Sequence, residues 1–261
     1  MNIPIKTNKE IKKMRIAGTL AAEVLEMIQP YVIQDVSTSE LDRLCHNYIM
    51  NTQQAVAACL GYRGFPKSVC ISVNDVVCHG IPSENQILKN GDIVNIDVTV
   101  LKDDYHGDTS TMFIVGNTST QAYKLCDITQ KSLYYAIQLV KPGLRLHTLG
   151  YHIQKFVEKH GFSVVREYCG HGIGKNFHED PQVLHYKSYD NGIILQPGMI
   201  FTIEPMVNVG NCQVRIMKDG WTVKTHDHSL SAQYEHTILV TQNGYEILTL
   251  RQNEMIPTLV G

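Results

Sequence analysis

The chain has 261 residues, of which 43% are hydrophobic and 18% charged, so it can bury a substantial core in one large domain or two small ones and is not a disordered chain. Its 23 Lys and Arg against 25 Asp and Glu leave a net charge of −2, which excludes a dominant nucleic-acid or membrane surface built on one sign of charge. Seven cysteines, an odd number with no C-x-x-C pair, argue against a disulfide scaffold or a thiolate-bound structural zinc and fit a reducing, cytoplasmic setting. Met1-Asn2-Ile3-Pro4-Ile5-Lys6 carries no signal-peptide apolar region, and no stretch of about 18 apolar residues predicts a membrane span.

In chain order, Thr7-Asn8-Lys9-Glu10 reads as a helix start. Ile11, Met14, Ala17, Leu20, Ala21, Val24, Leu25 and Ile28 follow at helical spacing, and Pro30 closes the element. Ser37-x-x-Glu40 predicts a capping box for a second helix with Leu41, Leu44, Cys45, Tyr48 and Ile49 on one face. A short strand is expected over 69–73, then a turn at Asn74-Asp75 and Val76-Val77-Cys78-His79-Gly80. Asn95 to Ser110 predicts a β-hairpin turning at Lys102-Asp103, with Asp97 directly opposite Asp108. Helices are expected over 119–140, ending at Lys141-Pro142-Gly143, and over 148–160, stopped by Gly161. Strand-like segments follow near 163–168, 199–204, 222–225, 234–241 and 245–250, so the fold class is α+β with an antiparallel sheet.

An internal repeat is visible. Leu88-x-x-Gly91-x-Ile93-x-x-Ile96-Asp97 matches Leu195-x-x-Gly198-x-Ile200-x-x-Ile203-Glu204, 107 positions further on. Gln29-Pro30 before the second helix resembles Lys141-Pro142 before the fourth, 112 positions further on. Two related halves about a pseudo-twofold axis are expected, over approximately 9–115 and 119–250 of a single domain spanning 1–261. Asp97 and Glu204 are then counterparts facing a central cleft.

The chemistry is carried by acids and histidines. Opposed residues on one sheet face hold their Cβ atoms about 4.5–5.5 Å apart. Two aspartates so placed are tolerable only if protonated, exposed or neutralised by a cation. They admit both a solvent-facing hairpin and a pair of divalent ions about 3.5–4 Å apart. Glu204 has apolar flanks and shares a strand face with Thr202; Glu235 falls on a face with Gln233 and Thr237. Each glutamate alone equally fits an exposed strand edge. His171 lies among Gly170, Gly172 and Gly174, which leave room for close backbone approach; a phosphate loop is a weak alternative because neither G-x-G-x-x-G nor P-loop spacing is present. With 12 histidines in the chain, most, including candidates such as His79 and His178, would by default be bystanders.

Taken together, these stretches resemble the methionine aminopeptidases of peptidase family M24, in the short bacterial type I form, over essentially the whole chain. The resemblance rests on Val77 to Pro82, Asn95 to Thr99, His106 to Ser110, Gly170 to Gly174, Phe177 to Pro181, Thr202 to Pro205 and Ser231 to Thr237. It implies the pita-bread fold, with helices packed outside a curved antiparallel sheet. It also implies two divalent ions (cobalt, manganese, iron or zinc) held by Asp97, Asp108, His171, Glu204 and Glu235, with Asp108 and Glu235 bridging. Glu204 is implied as proton acceptor, His178 as a contact to the scissile amide, and His79 as an aid to the departing amine. Cys59, Tyr62, Phe65, Cys70, Phe177 and Trp221 would form the methionine pocket, with Thr99 near the substrate's amino group. Asn74, Val76 and Ser231 match a sodium or potassium site. Phe65 and Arg63 stand where close relatives often have tyrosine and histidine, which bears on preference at the substrate's second residue. Glu204 and Glu235 are only 31 positions apart, which leaves no room for the helical insertion of the second class. The implied reaction is removal of amino-terminal methionine from nascent proteins with a small second residue, by a monomer. A nascent substrate points to the ribosome as partner, although no residue here marks a contact. Rivals are a proline-specific pita-bread peptidase, which usually carries a further amino-terminal domain, a binding protein that has lost its ligands, and a purely structural metal pair.

Overall fold

A computed structural model describes residues 3–189 and 192–257, so Met1 and Asn2 of the amino-terminal stretch lie outside the described residues. Helix α1 (Asn8–Ile28) begins at a complete capping box: Thr7 accepts from the Glu10 amide and Glu10 accepts from the Thr7 amide. Its apolar stripe, Met14, Ala17, Ala21, Val24, Leu25 and Ile28, is buried. Helix α2 (Thr38–Asn47) has only half of the predicted box. Ser37 caps the Glu40 amide, but the Glu40 carboxylate turns to Arg43. Helices α3 (Thr120–Leu139) and α4 (His147–Lys159) match their predicted spans to within a residue or so.

Fifteen strands are present among the described residues: β1 (Val56–Ala57), β2 (Cys70–Val73), β3 (Val76–Cys78), β4 (Ile93–Lys102), β5 (Tyr105–Ile114), β6 (Ser163–Val164), β7 (Gly170–Gly172), β8 (Glu179–Val183), β9 (Ile200–Ile203), β10 (Met206–Asn208), β11 (Val214–Ile216), β12 (Val223–Thr225), β13 (Ser231–Gln233), β14 (His236–Val240) and β15 (Tyr245–Ile247). All their pairings are antiparallel. β4 pairs with β5 along one edge and with β1 and β2 along the other; a second sheet has the order β15-β14-β9-β7-β8. The two are joined where Ser110 of β5 bridges Glu235, whose amide donates to the Ser110 carbonyl at 3.1 Å.

The β4–β5 hairpin differs from expectation in register. It turns at Asp103-Asp104, both at positive φ (48° and 69°), so Asp97 faces Ser110 and Asp108 faces Thr99. Asp and Asn tolerate this left-handed turn geometry far better than Lys102 would, which is why the turn sits one residue later. The shift moves the pairing by two positions, so Asp97 and Asp108 remain on one face as diagonal neighbours. The segments after the fourth helix are more broken than expected. Strand β9 stops at Ile203 and β10 starts at Met206, leaving Glu204-Pro205 in the gap; β13 and β14 are likewise split at Tyr234-Glu235. Proline cannot donate to a ladder, which accounts for the first break. The Gly170–Gly172 stretch is strand, not loop.

The two stretches of the repeat form equivalent local structure. Leu88 N–H donates to the Val36 carbonyl and Leu195 N–H to the Leu144 carbonyl, at 2.9 and 2.8 Å. Gly91 and Gly198 both take positive φ, 97° and 91°, a conformation costly for any residue with a Cβ. Each stretch packs over its own helices. One apolar core lies between α1, α2 and the β2–β4 region, and a larger one between α3, α4 and the β9, β10, β13 and β14 strands. The facing sheets meet along the seam that carries the acids.

Candidate metal centre and substrate pocket

The seam opens into a cavity of about 280 Å³. On its floor, Asp108, His171 and Glu235 place one ligand atom each within 4.8 Å of one another. Asp97 and Glu204 line the same cavity. His171 Nε2 lies 3.6 Å from Asp108 Oδ2 and 3.8 Å from Glu204 Oε1. All five predicted ligands are therefore brought together, and all are buried except Asp97, which is half-buried.

Hydroxyls support Asp108, Glu204 and Glu235. Thr202 Oγ1 accepts from the His171 amide at 3.0 Å and donates to Glu204 Oε1 at 2.6 Å, so one threonine ties two ligands together. Thr99 Oγ1 donates to Asp108 Oδ1 at 2.8 Å. Thr237 Oγ1 accepts from the Asp108 amide and donates to its carbonyl, and Thr109 Oγ1 donates to the Glu235 carbonyl. Gln233 Nε2 donates to Glu204 Oε2, and buried His185 accepts from the Glu204 amide through Nε2. Of these supports, sequence reasoning singled out Thr99 as a site residue. The signal for the others was a hydroxyl two residues from a ligand on the same strand face, in Thr202-x-Glu204 and Glu235-x-Thr237. His185 carries no such signal.

The electrostatics demand a cation. Burial pushes the Asp97 and Glu235 carboxyls well above the usual range, and the neighbouring carboxylates add to it. Burial raises Glu204 to about 7, against the opposing pull of His171 and Thr202. Burial would lower the His171 pKa, but Asp108 and Glu204 outweigh it and the net shift is upward. Among the described residues the ion-pair partner of Asp108 and Glu204 is His171, and Asp97 Oδ1 is buried with no hydrogen-bond partner. Four carboxylates with an orphaned oxygen and no Lys or Arg bridge fit divalent metal better than a structural hydrogen-bond network. His171 is set for the same role. Its Nδ1 lies 2.9 Å from the Gly172 carbonyl, which can only accept, so the proton sits on Nδ1 and the Nε2 lone pair faces the acids. Gly172 itself must be glycine, because a Cβ there would meet the Asp180 carbonyl oxygen at 2.0 Å.

The walls are apolar and soft. Cys59, Phe65 and Cys70 form a buried cluster against Phe177 and Trp221. The Phe65 and Trp221 rings meet edge to face with centroids 5.2 Å apart. Tyr62, at the mouth, packs on Phe177 and places its hydroxyl 2.8 Å from His178 Nδ1. His79 is wedged against Tyr168 and Trp221, and burial lowers its pKa. Loss of solvent around the ring, followed by the nearby His171, holds His178 down at about 4. All six predicted pocket residues, and His79 and His178, thus line the cavity. Glu167, Tyr168, Cys169 and Met206 line it too and were not foreseen. Arg63 stands at the rim with its guanidinium 5.4 Å from the Tyr62 ring centroid. Of the predicted monovalent-cation residues, Ser231 N–H donates to the Asn74 carbonyl at 2.9 Å, and Val76 lies in β3 opposite Lys224.

An antiparallel α+β fold with a buried carboxylate and histidine cluster under a one-side-chain pocket defines a metallopeptidase, and residues 12–242 match the profile of metallopeptidase family M24, to which the chain belongs. The methionine aminopeptidase of Escherichia coli K12 is 66% identical over 261 residues, covering 100% of this chain and 99% of that protein. The methionine aminopeptidase of Salmonella typhimurium LT2 is 65% identical over 260 residues, 100% of this chain and 98% of that protein. In structure, methionine aminopeptidase from Rickettsia prowazekii superposes with a TM-score of 0.93 at 52% identity, over 95% of this chain and 100% of that one. Within the family the chain thus falls with the methionine aminopeptidases, a group of hydrolases with the pita-bread fold. A prolidase from Pyrococcus furiosus shares the fold at a TM-score of 0.75 and 22% identity, but this chain covers only 66% of it.

Proposed function

We propose that this protein removes amino-terminal methionine from polypeptides whose second residue is small, using two divalent ions in the acid cluster. The observation that carries this reading is the placement of Asp97, Asp108, His171, Glu204 and Glu235 in one cavity of about 280 Å³ with mainly apolar walls. A methionine thioether suits walls of Cys59, Cys70, Phe65, Phe177 and Trp221, since sulfur beside aromatic edges gains about 0.3–1.5 kcal/mol per contact. Asp97 would hold one ion, His171 and Glu204 the other, and Asp108 and Glu235 would be shared. Bound divalent ions supply Lewis-acid chemistry that brings the pKa of water near neutrality.

The chain's own groups do the rest. Glu204, beside the attacking water as an ionised carboxylate, accepts its proton. His178 donates a hydrogen bond to the scissile amide and steadies the tetrahedral carbon's oxygen. His79 assists the proton that goes to the departing amine. Thr99, two residues from Asp97 and hydrogen-bonded to Asp108, would stand near the substrate's free α-amino group. The crowded rim of Tyr62, Arg63, His79, His178 and Tyr168 leaves little room for a large second side chain. The reading includes a single catalytic domain of two pseudo-related halves, a monovalent cation near Asn74, Val76 and Ser231, a cytoplasmic monomer, and access to nascent chains at the ribosome. No helix among the described residues is long and apolar enough to cross a membrane.

Asp108→Asn and Glu235→Gln are expected to abolish methionine release and to lower bound metal, read by elemental analysis. His178→Ala is expected to slow turnover by roughly 10²–10⁴-fold with metal content kept. Full turnover by metal-depleted Asp108→Asn protein would overturn the reading.

A further inference from the structure

Two histidine rings share the cavity and pack with centroids 4.1 Å apart and planes tilted by 36°, yet their hydrogen-bond environments differ. His171 Nδ1 faces a backbone carbonyl, which accepts only, and this fixes its proton on Nδ1. His178 Nδ1 faces instead the phenolic hydroxyl of Tyr62 at 2.8 Å, a group able to donate or accept. The Tyr62 and His178 rings lie nearly parallel, with centroids 5.3 Å apart and planes 20° from each other. Phe177 covers His178 as well, at 4.5 Å and 29°. His178 is exposed, so these ring contacts and the Tyr62 hydroxyl are what orient its imidazole.

We infer that Tyr62 is a positioning residue that fixes the tautomer of His178: its O–H donates to Nδ1, leaving the proton on Nε2 to be offered to the substrate. The inference rests on the reading of His178 as the donor to the scissile amide. Three features favour this direction of the bond. A phenol is a stronger donor than a neutral imidazole N–H, and an imidazole nitrogen is a stronger acceptor than a phenolic oxygen whose lone pair is drawn into its ring. The Arg63 guanidinium, 5.4 Å from the Tyr62 ring centroid, draws electron density from the phenol and strengthens its O–H as a donor. The ring's second nitrogen does better as N–H in a cavity whose lining carries the carboxyl groups of Asp97, Asp108, Glu204 and Glu235 beside His171, whose Nε2 is a bare lone pair. The two neighbouring histidines thus carry opposite tautomers for opposite tasks: a lone pair on Nε2 of His171 and a proton on Nε2 of His178. The hydroxyl of Tyr62 has no comparable contact with the apolar wall, where its ring alone suffices.

The test is ¹⁵N NMR of the imidazole nitrogens in full-length protein loaded with diamagnetic zinc, with the His178 signals assigned by their loss in His178→Gln. The wild type is expected to show a protonated Nε2 and a bare Nδ1 at His178. Tyr62→Phe keeps the ring and removes the hydroxyl. It is expected to convert His178 to a mixture of tautomers and to lower kcat roughly tenfold to a hundredfold, the usual effect of losing a group that orients a ligand or donor, with a smaller change in KM. The His171 signals should not move. A proton on Nδ1 of His178 in the wild type, or an unchanged tautomer and kcat in Tyr62→Phe, would overturn the inference. His178→Ala with undiminished turnover would instead overturn the role given to His178 itself, independently of what Tyr62 does.

Discussion

At the scale of single residues, the acid cluster is governed by burial. Glu204 in the metal-free protein has a pKa of about 7, against 4.5 for a free carboxyl, with burial the largest cause. Its charged form is thus disfavoured in the folded state. The stability it contributes is fully present below 4.5 and is lost as pH rises through about 7, as follows from a folded pKa above the unfolded one. Asp97 and Glu235 shift in the same direction. Bound metal needs these groups ionised, so binding releases protons. Between pH 5 and 8, metal affinity measured by calorimetry is expected to rise with pH, with proton release visible as a dependence of the heat on the buffer, and the metal-induced gain in Tm should grow over the same range. A flat profile would contradict this. Thr202→Val keeps the shape and removes the hydroxyl that ties His171 to Glu204. It is expected to weaken metal binding by roughly 10–100-fold.

At the scale of elements, helices were legible because their apolar spacing and caps are local. The stripe of α1 and the spans of α3 and α4 followed directly from period and punctuation. Strands were less legible where tertiary contacts decide them. Gly170–Gly172 has no β propensity, yet it is a strand because neighbouring backbone comes too close for any side chain. The hairpin turn was placed one residue early, since Asp103 and Asp104 both accept positive φ. Alternation still kept Asp97 and Asp108 on one face. The acids and histidine of the candidate metal site are legible individually as motifs. Their support is not, because Thr109, Gln233 and His185 reach Glu235 and Glu204 across strands distant in sequence. The closeness at β7 has a direct consequence. Gly172→Ala forces a Cβ to within 2.0 Å of the Asp180 carbonyl oxygen. A cost of at least about 1–3 kcal/mol is expected from chemical denaturation, with loss of metal affinity because His171 is the adjacent residue.

At the scale of the whole molecule, two helix-backed sheets each contribute acids to the cleft: Asp97 and Asp108 come from the β4–β5 hairpin, Glu204 and Glu235 from breaks in the later sheet. Neither half alone holds a complete ligand set. The walls of the apolar pocket likewise come from both, Cys59, Phe65 and Cys70 from the first and Phe177 and Trp221 from the second. The site is therefore a product of the closed fold, and its depth limits what enters. The most direct measurement is methionine release from a peptide series Met-X-Met by metal-loaded protein, with X running from Gly to Trp and a set with blocked amino termini. The account expects release with X as Gly, Ala or Ser, little or none with Leu or Trp, none from blocked peptides, and none after chelation. Equal release from blocked peptides, or undiminished release after the metal is removed, would contradict it.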